Sequence, residues 1–215
     1  MNLRNKRILI TAGPTWVPID KVRVISNVAS GETGIILAQE LIRSGARVTL
    51  LLGPSGVCCL DKRIRLLRFR FFDELKNKIT RELRWHKYDV VIHSDAVSDY
   101  RPSLVFAQKV KSDKKIWQLN LVPTVKIIDL IKKIDPSVFL AGFKFEPGAG
   151  KNLLIKRARG LIKRAGLDLA VANSVNRNQY RAYIISRHGI CGPLRNKASL
   201  AKGLLSAIGE NLWKK

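Results

Sequence analysis

The chain has 215 residues, a length at which we expect one α/β domain covering residues 1–215. A hydrophobic fraction of 46% excludes bulk disorder and is enough for a sizeable core. Forty Lys and Arg against 16 Asp and Glu give a formal net charge of +24, which would attract nucleic acid, an anionic membrane surface or phosphorylated small molecules. The basic residues are dispersed, and a general basic bias without ligand meaning accounts for them equally well.

Three cysteines occur, two of them adjacent (Cys58 and Cys59) and one distant (Cys191). Adjacent cysteines are a poor start for a disulfide framework, and no CxxC or histidine spacing indicates zinc, so we expect reduced thiols and no protein-held metal. The N-terminus lacks the pattern of a signal peptide, and no stretch approaches the roughly 20 apolar residues of a membrane-spanning helix. The sequence thus predicts a cytoplasmic protein without a membrane partner.

Short apolar runs alternate with amphipathic segments along the chain. The apolar runs predict strands at residues 7–12, 47–52, 64–69, 89–93, 115–121, 137–142, 167–172, 180–186 and 190–194. The amphipathic segments predict helices at residues 33–43, 73–83, 124–134, 151–164 and 198–212. Because strands alternate with helices of this length, we expect an α/β fold with a doubly wound, mostly parallel sheet and helices on both faces.

In such a sheet, ligands bind beyond the carboxyl ends of the strands. The loop after the first strand lacks the G-x-G-x-x-G of a dinucleotide site, and the second strand ends without an acid for a ribose, which disfavours NAD. Residues 30–34 (SGETG) could hold a phosphate at a helix start, because glycines admit an anion and helix N-terminal amides attract it. Glu32 competes for the same positive end, so close helix packing is the favoured interpretation of this segment taken alone.

Four segments occur together in one order. They are residues 10–34, with ITAGPT, PIDKVR, ISN and SGxxG; residues 96–111, with AVSDYRP and KVK; residues 142–146, GFKFE; and residues 167–173, with LD and VAN. Together they resemble the phosphopantothenate–cysteine ligases, also called phosphopantothenoylcysteine synthetases. The resemblance runs from about Arg7 to the last helix.

The resemblance implies a Rossmann-like sheet with a small flap and dimerisation extension, and a two-step reaction. The carboxylate of 4′-phosphopantothenate attacks the α-phosphorus of CTP, or ATP as in eukaryotic relatives, and the amine of cysteine then displaces the nucleotide. Mg²⁺ would help to neutralise the triphosphate. The resemblance also implies a homodimer, to which residues 115–121 could contribute, and a separate flavin-dependent decarboxylase as a partner.

The resemblance assigns roles to individual residues. Asn27 would bind the acyl intermediate, and Lys109, on the flap, would stabilise charge at the α-phosphate. Asp99 would contact the nucleotide and Phe143 would stack on its base. The other implied contacts are Gly13, Pro123, Thr124, Val125 and Lys126 for the nucleotide, and Arg23, Ser30, Gly31 and Gly34 for the acyl substrate. Each of these residues can also be explained without a ligand, as a turn residue, a solvated charge, a helix start or part of the core.

Several positions depart from the family pattern. Asp95 stands where bacterial relatives usually have Ala, and Leu161 and Ala165 stand where they have lysines, for which Lys163 and Arg164 could substitute from a different face. These changes leave the choice between CTP and ATP open. They also leave open a non-catalytic nucleotide-binding relative, and the +24 net charge with four Trp leaves open a basic nucleic-acid-binding protein. No RNA-binding aromatic motif is present, so no specific nucleic acid is expected.

Overall fold

The structure is a computed structural model that describes residues 3–56 and 61–212. In chain order the elements are β1 (Arg7–Ala12), β2 (Trp16–Pro18), β3 (Val24–Ser26), α1 (Glu32–Arg43), β4 (Arg47–Leu52), β5 (Arg65–Arg68), α2 (Phe72–Trp85), β6 (Val90–His93), β7 (Tyr100–Pro102), β8 (Leu121–Pro123), α3 (Ile127–Ile134), β9 (Phe139–Phe145), α4 (Lys151–Ala165), β10 (Leu169–Asn176), β11 (Gln179–Ser186), β12 (Gly189–Leu194) and α5 (Lys197–Leu212).

Among the described residues, no helix is both long and apolar enough to cross a bilayer. The prediction for Cys58 and Cys59 lies outside these residues, and Cys191 is an exposed free thiol.

Eight strands form the main sheet in the order β12-β11-β10-β9-β6-β1-β4-β5. The six from β5 to β10 run parallel, and β11 and β12 extend the sheet as an antiparallel hairpin. The central strand β1 pairs with β4 on one side, Ile8 opposite Val48, and with β6 on the other, Ile8 opposite Val90. The chain therefore changes direction across the sheet between β1 and β6, which confirms the doubly wound prediction and marks the edge where ligands bind in such sheets.

Each face of the sheet is covered by its own helices. Ile8 and Ile10 of β1 lie in a core shared with α1 and α5, where Leu37 and Leu204 are fully buried. Leu9 lies in a second core, shared with α2, α3 and α4. Because both faces of the central strands are buried, these strands are continuous apolar runs in the sequence, as parallel strands usually are.

A small extension stands beyond the carboxyl edge of the main sheet. It contains the antiparallel pair β2–β3, with Trp16 opposite Ser26, and the antiparallel pair β7–β8, with Tyr100 opposite Pro123. The segment between β7 and β8, residues 103–120, has no regular secondary structure and is called the flap below. The pair β2–β3 was missed by the sequence analysis, because each of its strands has only three residues.

The predicted strand at 115–121 is wrong, since only Leu121 belongs to a strand and residues 115–120 are irregular. The alternation of polar and apolar residues that suggested a strand has another origin. The Trp117 ring packs against Phe106, with ring centroids 6.0 Å apart, and lies under the Arg23 guanidinium at 4.6 Å. Side-chain packing, without a described partner strand, orders this segment.

The helix predicted from residue 124 begins three residues later, at Ile127. Thr124 is held out of the helix because its N–H donates to Asp99 O at 2.9 Å and its hydroxyl donates to Ser98 O at 2.6 Å. The hydrogen bonds tie residues 124–126 to the loop that follows β6, so this short extended stretch becomes part of a cavity wall.

Candidate functional site

A cavity of about 710 Å³ opens at the carboxyl edge of the sheet, beyond β6 and β9 and beside α3 and α4. Its walls come from four parts of the chain. They are His93, Asp95, Val97 and Asp99 around the loop after β6; Thr124, Val125, Lys126, Ile127 and Ile128 at the start of α3; Phe143 and Lys144 at the end of β9; and Leu153, Lys156, Arg157, Gly160, Leu161 and Arg164 on α4. The cavity is large enough for a nucleotide-sized ligand.

Five residues predicted from the sequence to contact a nucleotide meet in this cavity. They are Asp99, Thr124, Val125, Lys126 and Phe143. The Lys126 ammonium lies 2.6 Å from Asp99 Oδ1, so the two loops are joined by an ion pair as well as by backbone hydrogen bonds. Both side chains remain partly exposed and can exchange this contact for a ligand. Pro123, in β8, lies next to this wall without lining it.

The cavity wall on β9 and α4 is cationic. Lys144 and Arg157 share Glu146, at 3.3 and 3.7 Å, and Arg164 contacts both carboxylate oxygens of Asp129. Lys156 has no acidic partner among the described residues. A row of partly exposed cations at the end of a parallel sheet is suited to a phosphate chain, because phosphate oxygens can displace weak surface ion pairs.

These α4 cations were not among the site residues predicted from the sequence. The sequence feature that could have identified them is the spacing of Lys156, Gly160 and Arg164. These residues follow one another at intervals of one helical turn, which puts them on one face of the predicted helix. Lys163, considered as a substitute for the family lysines, lines a different cavity of about 330 Å³ on the other side of α4. Leu161 forms part of the main cavity wall.

Asn27 lies just after β3 and reaches the loop that follows β6. Its side-chain amide donates to Ala96 O at 3.0 Å and to Val97 O at 3.1 Å. Val97 lines the cavity, whereas Asn27 itself is exposed at its margin. The position next to the cavity fits the predicted role, and that role stays a prediction.

Arg23 and Asp20 fasten the flap to the β2–β3 turn. The Arg23 guanidinium donates to Val110 O, contacts Asp20 at 3.1 Å and covers the Trp117 ring. Burial opposes ionisation of Asp20, but the backbone N–H groups of Val22, Val110 and Arg23 outweigh it and lower the pKa of its carboxyl group. Arg23 therefore acts within this chain as a flap anchor, and its predicted contact with substrate is untested.

Lys109 lies on the flap and is exposed, next to the anchored Val110. It is not part of the cavity wall, and it forms no ion pair with a described residue. The structure thus brings Asp99 into the cavity and Asn27 to its margin, and leaves Lys109 outside. A catalytic contact of Lys109 requires the flap to move or the flap of another subunit to reach the cavity.

The glycines predicted at the anion site are closely packed. A Cβ on Gly31, whose φ is +76°, would lie 3.3 Å from Gly13 Cα, and one on Gly34 would lie 2.3 Å from Ala12 Cβ. Ser30 Oγ accepts a hydrogen bond from the N–H of Glu32 at 3.3 Å. None of these glycines lines the cavity, and close packing at the start of α1 explains them. A contact of this segment with substrate stays a prediction.

Asp95 forms a buried polar cluster under the cavity with Thr11 and His93. Its Oδ1 accepts a hydrogen bond from the Thr11 hydroxyl and lies 3.0 Å from His93 Nδ1. Its Oδ2 is buried without a hydrogen-bond partner among the described residues. In the sequence, Asp95 stood out only as an unusual charge. His93 was not recognised, because its contact with residue 11 depends on the pairing of β1 with β6.

The described residues contain no group of three or more His, Cys, Asp or Glu side chains arranged to hold a metal ion. The cavity contributes only Asp95 and Asp99 as carboxylates, and one of them faces away into the buried cluster. The donor set does not suit an all-protein metal site.

The family model described as the DNA/pantothenate metabolism flavoprotein C-terminal domain matches residues 3–212. The chain is 42% identical over 175 residues to the coenzyme A biosynthesis bifunctional protein CoaBC of Thermococcus kodakarensis, covering 81% of this chain and 42% of that protein. The chain spans about half the length of the curated relatives it matches.

Solved structures have the same fold. The DNA/pantothenate metabolism flavoprotein from Streptococcus pneumoniae superposes with a TM-score of 0.86 at 26% identity, covering 96% of this chain and 99% of that one. A Cab2 variant in complex with phosphopantothenate-cysteine superposes with a TM-score of 0.78 at 18% identity, covering 98% of this chain and 87% of that one. At that identity the second likeness shows the fold alone.

Proposed function

Since the chain belongs to the family of the DNA/pantothenate metabolism flavoprotein C-terminal domain, we propose that it joins 4′-phosphopantothenate to cysteine through an acyl-nucleotide, in coenzyme A biosynthesis. The observation that carries the proposal is the cavity at the carboxyl edge, in which Asp99, Lys126 and Phe143 meet the cationic face of α4. The name of the Thermococcus relative supports coenzyme A biosynthesis as the pathway.

The nucleotide would occupy this cavity. The Phe143 ring offers a surface for stacking on the base, and the Asp99 carboxylate can accept hydrogen bonds from ribose hydroxyls. Lys144, Lys156 and Arg157 would hold the phosphate chain, because several cations are needed to neutralise a triphosphate. CTP is the proposed co-substrate, with ATP as the alternative.

The acyl substrate would lie between the cavity and Asn27. An amide can donate hydrogen bonds to a carbonyl or phosphoryl oxygen without adding charge, and Asn27 would exchange a bond to Ala96 O or Val97 O for the substrate. Arg23, Ser30, Gly31 and Gly34 would contact the same substrate. Lys109 would stabilise the charge that develops at the α-phosphate once a flap covers the cavity, and closure would also keep water from the acyl-nucleotide.

We further propose a homodimer formed by the extension. Its exposed apolar residues include Tyr100, Leu104, Ile116 and Leu121, each at least 46% exposed, which is a large apolar area for a free surface. A partner seated on it would bring a second flap, with its own cation, near the cavity. A flavin-dependent decarboxylase would act next on the product.

Mg²⁺ fits this site only as an ion that arrives with the nucleotide. It prefers phosphate oxygens and water with one or two carboxylates, and the cavity offers no larger acidic cluster among the described residues. The ion would supply charge neutralisation on the triphosphate, while Lys144, Lys156 and Arg157 orient the phosphates from the protein side.

The proposal is tested by pyrophosphate release with purified protein, 4′-phosphopantothenate, cysteine and either CTP or ATP. We expect release with one nucleotide to be stronger, and we expect Arg157→Ala to raise the KM for that nucleotide about tenfold, for loss of one phosphate contact of roughly 1.4 kcal/mol. The matched control is Lys163→Ala, which removes a cation on the other side of α4 and should leave KM unchanged.

Two other outcomes would contradict the ligase function. Nucleotide that binds but stays intact with every substrate combination indicates a non-catalytic relative. Binding to arbitrary DNA or RNA that falls steeply with salt, without pyrophosphate release, indicates a nucleic-acid-binding protein that uses the +24 net charge.

A further inference from the structure

The buried cluster under the cavity has a defined arrangement of protons. Thr11 Oγ1 donates its single proton to Asp95 Oδ1, and His93 Nδ1 lies 3.0 Å from both of these oxygens. Because Thr11 has no second proton to give, Nδ1 must be the donor in its contacts with Thr11 and Asp95. The neutral His93 ring therefore carries its free lone pair on Nε2.

Of the two cluster members that border the cavity, His93 is the one whose side chain has exposed surface. It lines the wall and is 7% exposed, whereas the Asp95 side chain has no exposed surface. Nε2 makes no hydrogen bond to any described residue. Asn27 is bonded to Ala96 and Val97, just after Asp95, so an acyl group bound by Asn27 would lie beside this part of the loop.

We infer that His93 accepts the proton released when the amide forms, and that Asp95 is the residue that positions it; this inference rests on the ligase function proposed above. The cysteine nitrogen attacks the acyl carbon, and a C–N bond forms. The C–O bond to the nucleotide phosphate breaks, and its electron pair leaves on the nucleoside monophosphate. The nitrogen gives one proton to His93 Nε2, and solvent removes that proton when the site opens.

Asp95 is suited to support this step through His93. Its Oδ2 is buried without a partner, and a buried carboxylate is stabilised when a cation forms next to it. An imidazolium on His93 supplies that cation at Oδ1 and keeps the ring oriented, as carboxylates do beside catalytic histidines. Oδ2 itself is out of reach of a ligand, so direct binding of cysteine by Asp95 is excluded in this arrangement.

The groups that face His93 from the neighbouring elements favour His93, over the other side chains of the cavity, as the base. β1 contributes Thr11 and β9 contributes Gly142 at the paired position, neither of which is charged. Across the cavity the charged groups are Asp99, Lys126, Lys144, Lys156, Arg157 and Arg164. Asp99 is assigned to the ribose hydroxyls and the others are lysine and arginine side chains, so His93 is the group that offers a free nitrogen lone pair to the cavity.

The test separates the two half-reactions in single-turnover experiments. Without cysteine, pyrophosphate release reports formation of the acyl-nucleotide. A chase with cysteine then reports amide formation, and a chase with hydroxylamine, a neutral amine reactive enough to attack acyl phosphates without a general base, reports acyl transfer that does not depend on His93. The variants are His93→Asn and Asp95→Asn, and the matched control is His188→Asn in the exposed turn between β11 and β12.

We expect His93→Asn to slow amide formation with cysteine by about 10²–10⁴-fold, the usual contribution of a general base, while pyrophosphate release and the hydroxylamine chase stay within a few-fold. The pH profile of amide formation with cysteine should also differ from that of the parent chain. Asp95→Asn should show the same selectivity with a smaller loss, and His188→Asn should behave as the parent chain.

Three results would overturn the inference. If His93→Asn and Asp95→Asn lose pyrophosphate release as strongly as amide formation, the cluster is only structural, while the ligase function stands on the parent chain. If both variants form amide at the parent rate with an unchanged pH profile, His93 is not the base. A parent chain that releases no pyrophosphate with any nucleotide overturns the function and the inference together.

Discussion

Helix α1 packs so closely on β1 that an alanine does not fit at Gly34. A Cβ at this position would lie 2.3 Å from Ala12 Cβ and 3.2 Å from Ser94 Oγ, whereas carbon atoms pack best at about 3.5–4.0 Å. The backbone of Gly34 is one that alanine can adopt, so the obstacle in Gly34→Ala is steric alone. Relief requires α1 to move by more than about 1 Å, and overpacking of this kind costs about 1–3 kcal/mol.

Gly160→Ala is the matched control, because Gly160 lies in α4 with nothing within 4 Å of its added Cβ. Alanine is favoured over glycine in a helix by about 1 kcal/mol, and this gain applies to both variants. The free energy of unfolding of Gly34→Ala should therefore fall about 1–3 kcal/mol below that of Gly160→Ala, or about 2–12 °C in Tm for a chain of this size. Urea unfolding followed by circular dichroism measures the difference.

The double variant Ala12→Gly/Gly34→Ala tests the cause. Removing the Ala12 methyl group takes away the atom that the new Cβ would meet, so the two substitutions should be coupled and part of the stability should return. Equal stability of Gly34→Ala and Gly160→Ala, or strict additivity in the double variant, would refute the steric argument and the packing interpretation of this glycine-rich segment.

Two further predictions follow from buried groups elsewhere. Asp20→Asn removes the carboxylate that holds the flap, so trypsin should cut residues 103–120 faster, as seen by mass spectrometry, and an unchanged cleavage pattern would contradict the anchor role. Burial and the hydrogen bond to Glu82 raise the pKa of Tyr88 to about 12. Since the unfolded state loses its tyrosine proton first, near pH 10, stability should fall as the pH rises from about 10 to about 12, and Tyr88→Phe should flatten that fall in urea titrations.

The doubly wound architecture was already determined by local patterns in the sequence. Residues 7–12 and 47–52 are continuous apolar runs because both faces of these strands are buried, and the predicted bounds match β1 and β4. The helices repeat their apolar residues every three to four positions because one face packs on the sheet. Such patterns depend only on near neighbours along the chain, so they can be recognised before any tertiary contact is known.

The sequence also placed Asp99, Phe143 and residues 124–126 in one site, and the cavity contains them all. It did so through the resemblance, which already combines distant segments. It was misleading at residues 115–120, where Trp117 packs under Arg23 and no described strand is present to pair with the backbone. Strand formation needs hydrogen-bond partners from elsewhere in the chain, and alternation alone does not supply them.

Only the tertiary structure decided which charges meet. The β1–β6 pairing brings residues 11 and 93 together across 82 positions in the chain, and it turns Asp95 from an isolated unfavourable charge into the partner of His93. The same packing selects Lys156 over Lys163 for the cavity, because neighbouring helix residues point in different directions. Contacts of this kind depend on which strands become neighbours, and that order results from burying all apolar faces at once.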